Sequence, residues 1–404
     1  MPSFTETSHQ GFGSRIFGAI KGILFGGLLF LGGIAGLFWN EGRAVDALKD
    51  VAEARGALVS VSADTPEQAN DGKLVHLSGN ATTEDTVSDA LLNYEAIGIR
   101  LTRTVEMYQW EENERTRKQK KMGGGEETIT EYSYEEVWSE ALIDSTRFNS
   151  RRDDNTGMQI DNPEEKPIDS ESSQAARVTL GGFTLSSRLV GQINNPEKIA
   201  LTEANLPEQF AATMKVNAGS LYLGENPGSP QIGDCRVTLT ITNPADVSVV
   251  AKQKGETFEA YVAGHGKEFE RLDMGTKSAT EMMDEIQAEE EMFTWIIRAV
   301  GVIAIFVGLM LLARPIIVVA DILPFVGNIA EAGFAIIAGL IAVAVSSLTI
   351  GVAWLFYRPL IGAPMLVLSG GLLFVAWKRT RKSGPSSGRS LGTADDHDDD
   401  DWGA

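Results

Sequence analysis

The sequence is poor in cysteine and in positive charge. Cys235 is its sole cysteine, so no intramolecular disulfide can form, and neither a CxxC pair nor a Cys/His metal spacing exists. Inside an alternating apolar stretch it reads as a small buried residue. Lysine and arginine number 35 against 55 aspartates and glutamates, a formal charge of -20. That balance excludes nucleic acid as the partner, because phosphate binding needs a positive surface. Four histidines (His9, His76, His265 and His397) lie far apart, with no HExxH or HxH spacing for a metal. A Walker A loop, a GxSxG elbow and a strand-coupled GxGxxG are also missing. The sequence therefore gives no sign of a cofactor, a metal site or a catalytic constellation. A membrane enzyme built on His76, His265 and scattered carboxylates has the least material of any reading. The Asp-rich tail 395–401 reads as a solvated segment rather than a cation site.

What the chain does have is long apolar runs at both ends of a polar middle. Residues 16–39 carry one charge, Lys21. At about 1.5 Å per residue this run crosses a hydrocarbon core of about 30 Å. It is too long for the apolar part of a signal peptide, and no A-x-A cleavage site follows. Further runs occupy 292–313, 332–356 and 359–377. Between the second and third lies 314–331, apolar but interrupted by Arg314, Pro315, Asp321, Pro324 and Glu331. Basic flanks mark the cytoplasmic side. Arg15 and Lys21 put the segment 1–15 there, and "KRTRK" after the fourth run should put the tail 378–404, basic then Asp-rich and disordered, on the same side. That parity needs four spans, so 314–331 is expected to be a re-entrant or interfacial segment in which Asp321 and Glu331 reach headgroups or water. The fold class is then a multipass α-helical membrane protein with four spans. A large β-rich α+β domain, residues 40–291, lies outside the membrane between spans 1 and 2.

Two features of the spans bear on function. Lys21 and Arg298 sit near the starts of their helices and can snorkel to the interface. Arg298, with Asp321, Asn328 and Glu331, is also a candidate intramembrane polar group. Gly18, Gly22 and Gly26, then Gly32 and Gly36, recur every four residues, as do Ala338, Ala342 and Ser346. Small residues at this spacing let helices approach closely, either within one chain or between copies.

In the middle domain, 96–110 alternates apolar and polar residues, and 128–138 alternates again after "KQKKMGGGEE". The two form a long hairpin, with Thr130, Tyr132, Tyr134 and Trp138 on one face that burial should claim. Residues 149–174 read as a polar loop, and a change of alternation at Gly181–Gly182 suggests a bulge. Short helices at 43–55 and 274–292 should tie the domain to spans 1 and 2.

Six segments in order, "NEGRAV", "KLVHLSG", "VEMYQWEE", "IGDCRVTLTI", "TWIIRAVG" and "RPIIVVADILPFVGNI", resemble the transmembrane protein 43 (LUMA) family from the first span through the fourth. The resemblance implies four spans and a large domain on the far side. In animal members it implies endoplasmic reticulum and inner nuclear membrane, partners such as emerin and lamins, and self-association. Bacterial members also exist, and the acidic composition leans toward an inner-membrane protein with a periplasmic domain. The family offers no catalytic residues to carry over. The expected function is a non-enzymatic membrane scaffold. Its partners would be the lipid bilayer, further copies of itself and membrane or envelope proteins. The alternative is an oligomeric channel or transporter component that uses 315–330.

Overall fold

The computed structural model describes residues 2–153, 156–360 and 364. Two β-sheets stack face to face, and the ends of two long helices cover the outer face of the second sheet. The first sheet runs in the order Ser3–Gln10, Glu126–Ser139, Arg100–Lys120, Cys235–Thr242, Ser220–Leu223, Met214–Asn217. The second runs Phe183–Thr184, Thr179–Leu180, Leu74–Thr82, Ala245–Lys254, Thr257–Glu259. Strand side chains alternate between faces, and that alternation decides what each face meets. Leu101, Val105, Val237 and Leu239 of the first sheet share one core with Val75, Leu77, Val247 and Val249 of the second. Leu74 and Val250 point the other way, onto Val51 and Ala54 of the first long helix and Met282, Met283 and Ile286 of the next. Both methionines are wholly buried, and each such side chain contributes about 1.5–3 kcal/mol. Cys235 is a buried free thiol, its pKa pushed up to about 11 by burial, so it is inert.

The expected hairpin is present and longer than its alternation suggested. Arg100–Lys120 pairs with Glu126–Ser139 from Met107↔Ser139 to Lys120↔Glu126. The turn is made by Gly123 and Gly124 at φ +87° and +79°, a region glycine enters without steric cost. Tyr132 and Tyr134 are buried with Trp110 and Ile160. Trp138 packs 5.1 Å from the Tyr108 ring and 6.2 Å from that of Tyr222. The N-terminal residues, which carry no clear strand signal, add a third strand, from Ser3↔Ser133 to Gln10↔Glu126. At Gly181–Gly182 the structure has a tight hairpin, Leu180 pairing with Phe183, rather than a bulge.

The helices are α1 (Phe12–Ala57), α2 (Ser187–Gln192), α3 (Ala279–Ala320) and α4 (Pro324–Tyr357). Expected span 1 and the junction helix at 43–55 are one unbroken α1. Likewise α3 starts at a capping box between Ser278 and Glu281 and continues into the second apolar run. Three helices among the described residues, α1, α3 and 325–357 of α4, are long and apolar enough to cross a membrane. The expected fourth span, 359–377, falls almost wholly outside the described residues, as does the tail 378–404.

Residues 314–331, expected as a separate re-entrant or interfacial segment, are continuous with the helices on either side. Pro315 lies inside α3, which runs on to Ala320. Pro324 is at the first turn of α4, where its missing N–H costs nothing. The stretch is therefore the end of one helix, a tight turn at 321–323 and the start of the next. Proline is tolerated inside apolar helices when neighbouring helices support the backbone. Counting charges and prolines alone made the segment look broken at both sites.

α1 and α3 pack through glycines two turns apart on each helix. A Cβ on Gly26 would stand 2.9 Å from the Gly308 carbonyl oxygen, and one on Gly33 would stand 3.1 Å from that of Gly301. Gly18, Gly32 and Gly36 have nothing within 4 Å. Gly308→Ala should therefore destabilise by about 1–3 kcal/mol through overpacking, whereas Gly32→Ala should leave the melting temperature in detergent unchanged. Equal effects from the two would contradict this packing.

Candidate functional site

Where the helices enter the domain, charged side chains form a collar. Arg298 Nε and Nη2 donate to the two carboxylate oxygens of Glu41 at 2.7 and 2.8 Å. The Trp354 indole N–H donates to the same carboxylate at 2.7 Å. Glu41 is fully buried, so one carboxylate joins α1, α3 and α4. Two residues on, Arg43 donates to Glu290 at 2.9 Å and to Thr294 Oγ1 at 3.0 Å. Asn40 donates to the Thr294 carbonyl at 3.2 Å. Nearer the domain, the "GHG" turn wraps Asp50. The backbone N–H groups of His265 and Lys267 donate to its two oxygens at 2.9 and 3.0 Å, and His265 Nδ1 lies 2.8 Å away. A cleft of about 470 Å³ opens here, lined by Trp39, Arg43, Asp50, His265, Lys267 and Glu290 among others.

A second cluster closes the far end of the helices. Arg15 donates to Asp321 Oδ2 at 2.6 Å, and Lys120 reaches Asp321 Oδ1 at 2.8 Å and Glu331 at 2.7 Å. The Gly123 N–H donates to the Ile322 carbonyl at 3.1 Å, and Arg15 donates to the Gly124 carbonyl at 2.7 Å. This latch joins the tip of the hairpin, the start of α1 and the α3–α4 turn.

Most sequence candidates take different roles from those expected. Arg298 does not snorkel; it is paired with Glu41. Asp321, expected to reach headgroups or water, is fully buried and neutralised by Arg15 and Lys120. Asn328 and Glu331 are exposed, and only Glu331 joins the latch. Gly22 and Gly26 face α3, and Ala338, Ala342 and Ser346 are buried in the bundle. Gly18, Gly32 and Gly36 stay open. Reading from sequence missed Glu41, Trp354, Arg15 and Lys120. Glu41 was within reach, since "NEGRAV" places an acid directly after an apolar run, where a buried cation is its natural partner.

His265 and His76 have structural partners. Besides His265 on Asp50, His76 is buried with Nε2 at 2.9 Å from the Lys277 carbonyl. Burial disfavours its charged form more than the carbonyl favours it, so its pKa is lowered. No group of three His, Cys, Asp or Glu among the described residues is arranged for a metal.

Two predictions follow from these contacts. Glu41→Ala strands a buried guanidinium, and breaking one side of a buried pair costs about 3–5 kcal/mol. The double variant Glu41→Leu/Arg298→Met should recover most of the melting temperature in detergent; no recovery would mean that the pair matters for reasons other than charge. His76 stabilises the fold in full above the unfolded histidine pKa of about 6.5, and this contribution is lost as pH falls below it. Melting temperature should thus drop less steeply from pH 7.5 to 5 in His76→Gln than in the unaltered chain, and identical slopes would contradict the assignment.

Comparison with known proteins finds relatives along most of the chain. A family model described as Transmembrane protein 43 matches residues 107–359. Human transmembrane protein 43 is 30% identical over 388 residues, covering 93% of this chain and 94% of the human protein. The mouse protein is 31% identical over 369 residues, covering 88% of this chain and 89% of its own length. The Drosophila melanogaster homolog is 29% identical over 363 residues, covering 88% and 94%. No solved structure matches. The chain belongs to the transmembrane protein 43 family.

Proposed function

We propose that this integral membrane protein is a non-enzymatic scaffold. It would hold its β-rich domain at a fixed orientation to the bilayer and associate with further copies and with membrane or envelope proteins. One observation carries the reading. α1 and α3 are single helices from the apolar layer to the domain core, clamped at the collar by Glu41 and Arg298. A flexibly tethered enzyme domain needs no such joint; a protein that transmits position does. The domain would be periplasmic in a bacterial inner membrane, or lumenal in endoplasmic reticulum and inner nuclear membrane.

Self-association is best supported on one face of α1. At 3.6 residues per turn, Gly18 and Gly36 lie on one line along the helix and Gly32 lies close to it. Each has open space beside it, whereas Gly26 is occupied by α3. Small residues on an open apolar face suit a second helix. The channel reading through 315–330 draws less support, because the buried Asp321 is already neutralised by two cations.

With Cys235 replaced, single cysteines at Gly18, Gly32 and Gly36 should cross-link copies in native membranes, while Gly26→Cys should not. Absence of cross-links at all three outward positions would remove the self-association part of the proposal.

A further inference from the structure

The hairpin and the helices run side by side between the same two ends. The hairpin's root lies in the core between the two sheets, and α1 docks at Val51 and Ala54 on the other face of the second sheet. Its tip meets the start of α1 and the α3–α4 turn at the latch. From Trp110 to Lys120 is ~33 Å at strand rise; from Arg15 to Asn40 is ~38 Å at helix rise. Both match a hydrocarbon core of about 30 Å.

The two structures have opposite chemistry. Lys21 is the sole polar side chain of α1 between residues 16 and 39, and Leu24, Phe25, Leu28 and Leu31 are exposed. A helix lying in the membrane surface needs a polar face. This one has none, so it crosses. The hairpin is the reverse. Between Glu111 and Glu131 its large apolar side chains are Met122 and Ile129, and residues 5–10 of the added strand contain none. Beyond Trp110 no strand among the described residues pairs with the outer edge of Arg100–Lys120. Lipid does not tolerate an open polar sheet edge; such backbone at membrane depth must line water or be buried in protein. The tip also gathers Arg115, Arg117, Lys118, Lys120 and Lys121 at the end occupied by Arg15, as expected of the cytoplasmic side.

We propose that this three-stranded finger crosses the bilayer and lines a water-filled passage closed by further copies of the same chain. Charge on the finger suits such contacts, since the outer strand is basic near the tip, the neighbouring strands carry Glu6, Glu126, Glu127 and Glu131, and the pairs Arg117–Glu131 and Lys118–Glu126 within one copy are long, at 3.8 Å. The inference rests on the self-association proposed above but uses a different surface.

The test uses the full chain in sealed vesicles, with Cys235 replaced and single cysteines at exposed sites. A charged, membrane-impermeant thiol reagent should reach Met122→Cys from the side opposite Ser229→Cys in the domain. Arg115→Cys and Arg117→Cys should be labelled at rates comparable to Ser229→Cys, and Leu28→Cys should not be labelled. A short bifunctional thiol reagent should join two copies through Lys118→Cys, with Thr116→Cys as a second site. Labelling of Met122→Cys from the domain side would overturn the crossing. Labelling from the opposite side without cross-links at either finger site would overturn enclosure by copies. Cross-links at Gly32 and Gly36 with no finger labelling would leave the scaffold standing and sink this inference alone.

Discussion

The carboxylate of Glu41 holds the molecule together where two solvents meet. Below it the three helices are apolar enough to cross a membrane; above it α1 and α3 enter a folded β-rich domain. A charge at that depth is costly unless paired, and here it receives two hydrogen bonds from Arg298 and one from Trp354. Because the three donors and acceptors come from three helices, satisfying the charge fixes the helices relative to one another. The domain then inherits that orientation, since α1 and α3 continue into its core. The glycine contacts between α1 and α3 work toward the same end, bringing the two backbones close enough for the collar to close.

The far end repeats the logic with different residues. Asp321 is buried between Arg15 and Lys120, one from the start of α1 and one from the hairpin. At the collar a buried acid ties the three helices to one another; at the far end a buried acid ties them to the hairpin through Lys120. That arrangement makes the polar hairpin and the apolar helices parallel members of one frame, and it gives the latch a role that a free loop between two helices would not have.

Much of this was legible in the sequence, because it rests on local periodicity. The apolar runs, the alternation at 96–110 and 128–138, the aromatic face of the hairpin and the uninterrupted passage of the helix before 292 into the second apolar run all appear as patterns, although that helix starts at Ala279 and Met274, expected in it, ends a strand. What was not legible depends on residues distant in the chain. Glu41 and Arg298 are 257 positions apart, and neither has a local signal of its partner. Asp321 looked solvent-seeking because its cations lie in an N-terminal segment and a hairpin tip. Gly33, Gly301 and Gly308 escaped notice because their spacing is seven, not four. The proline positions misled for a physical reason: Pro324 falls in the first turn of α4, where proline is tolerated, and α3 continues through Pro315. The N-terminal strand is polar on both faces, so no alternation marks it.

The central claim is that helices and domain form one body through the collar. The most direct measurement is a pulsed spin-label distance between Ser229 in the domain and Ile322 at the α3–α4 turn, in lipid. The account predicts one narrow distance distribution that broadens in Glu41→Ala. A broad distribution in the unaltered chain, or no change on removing Glu41, would contradict it.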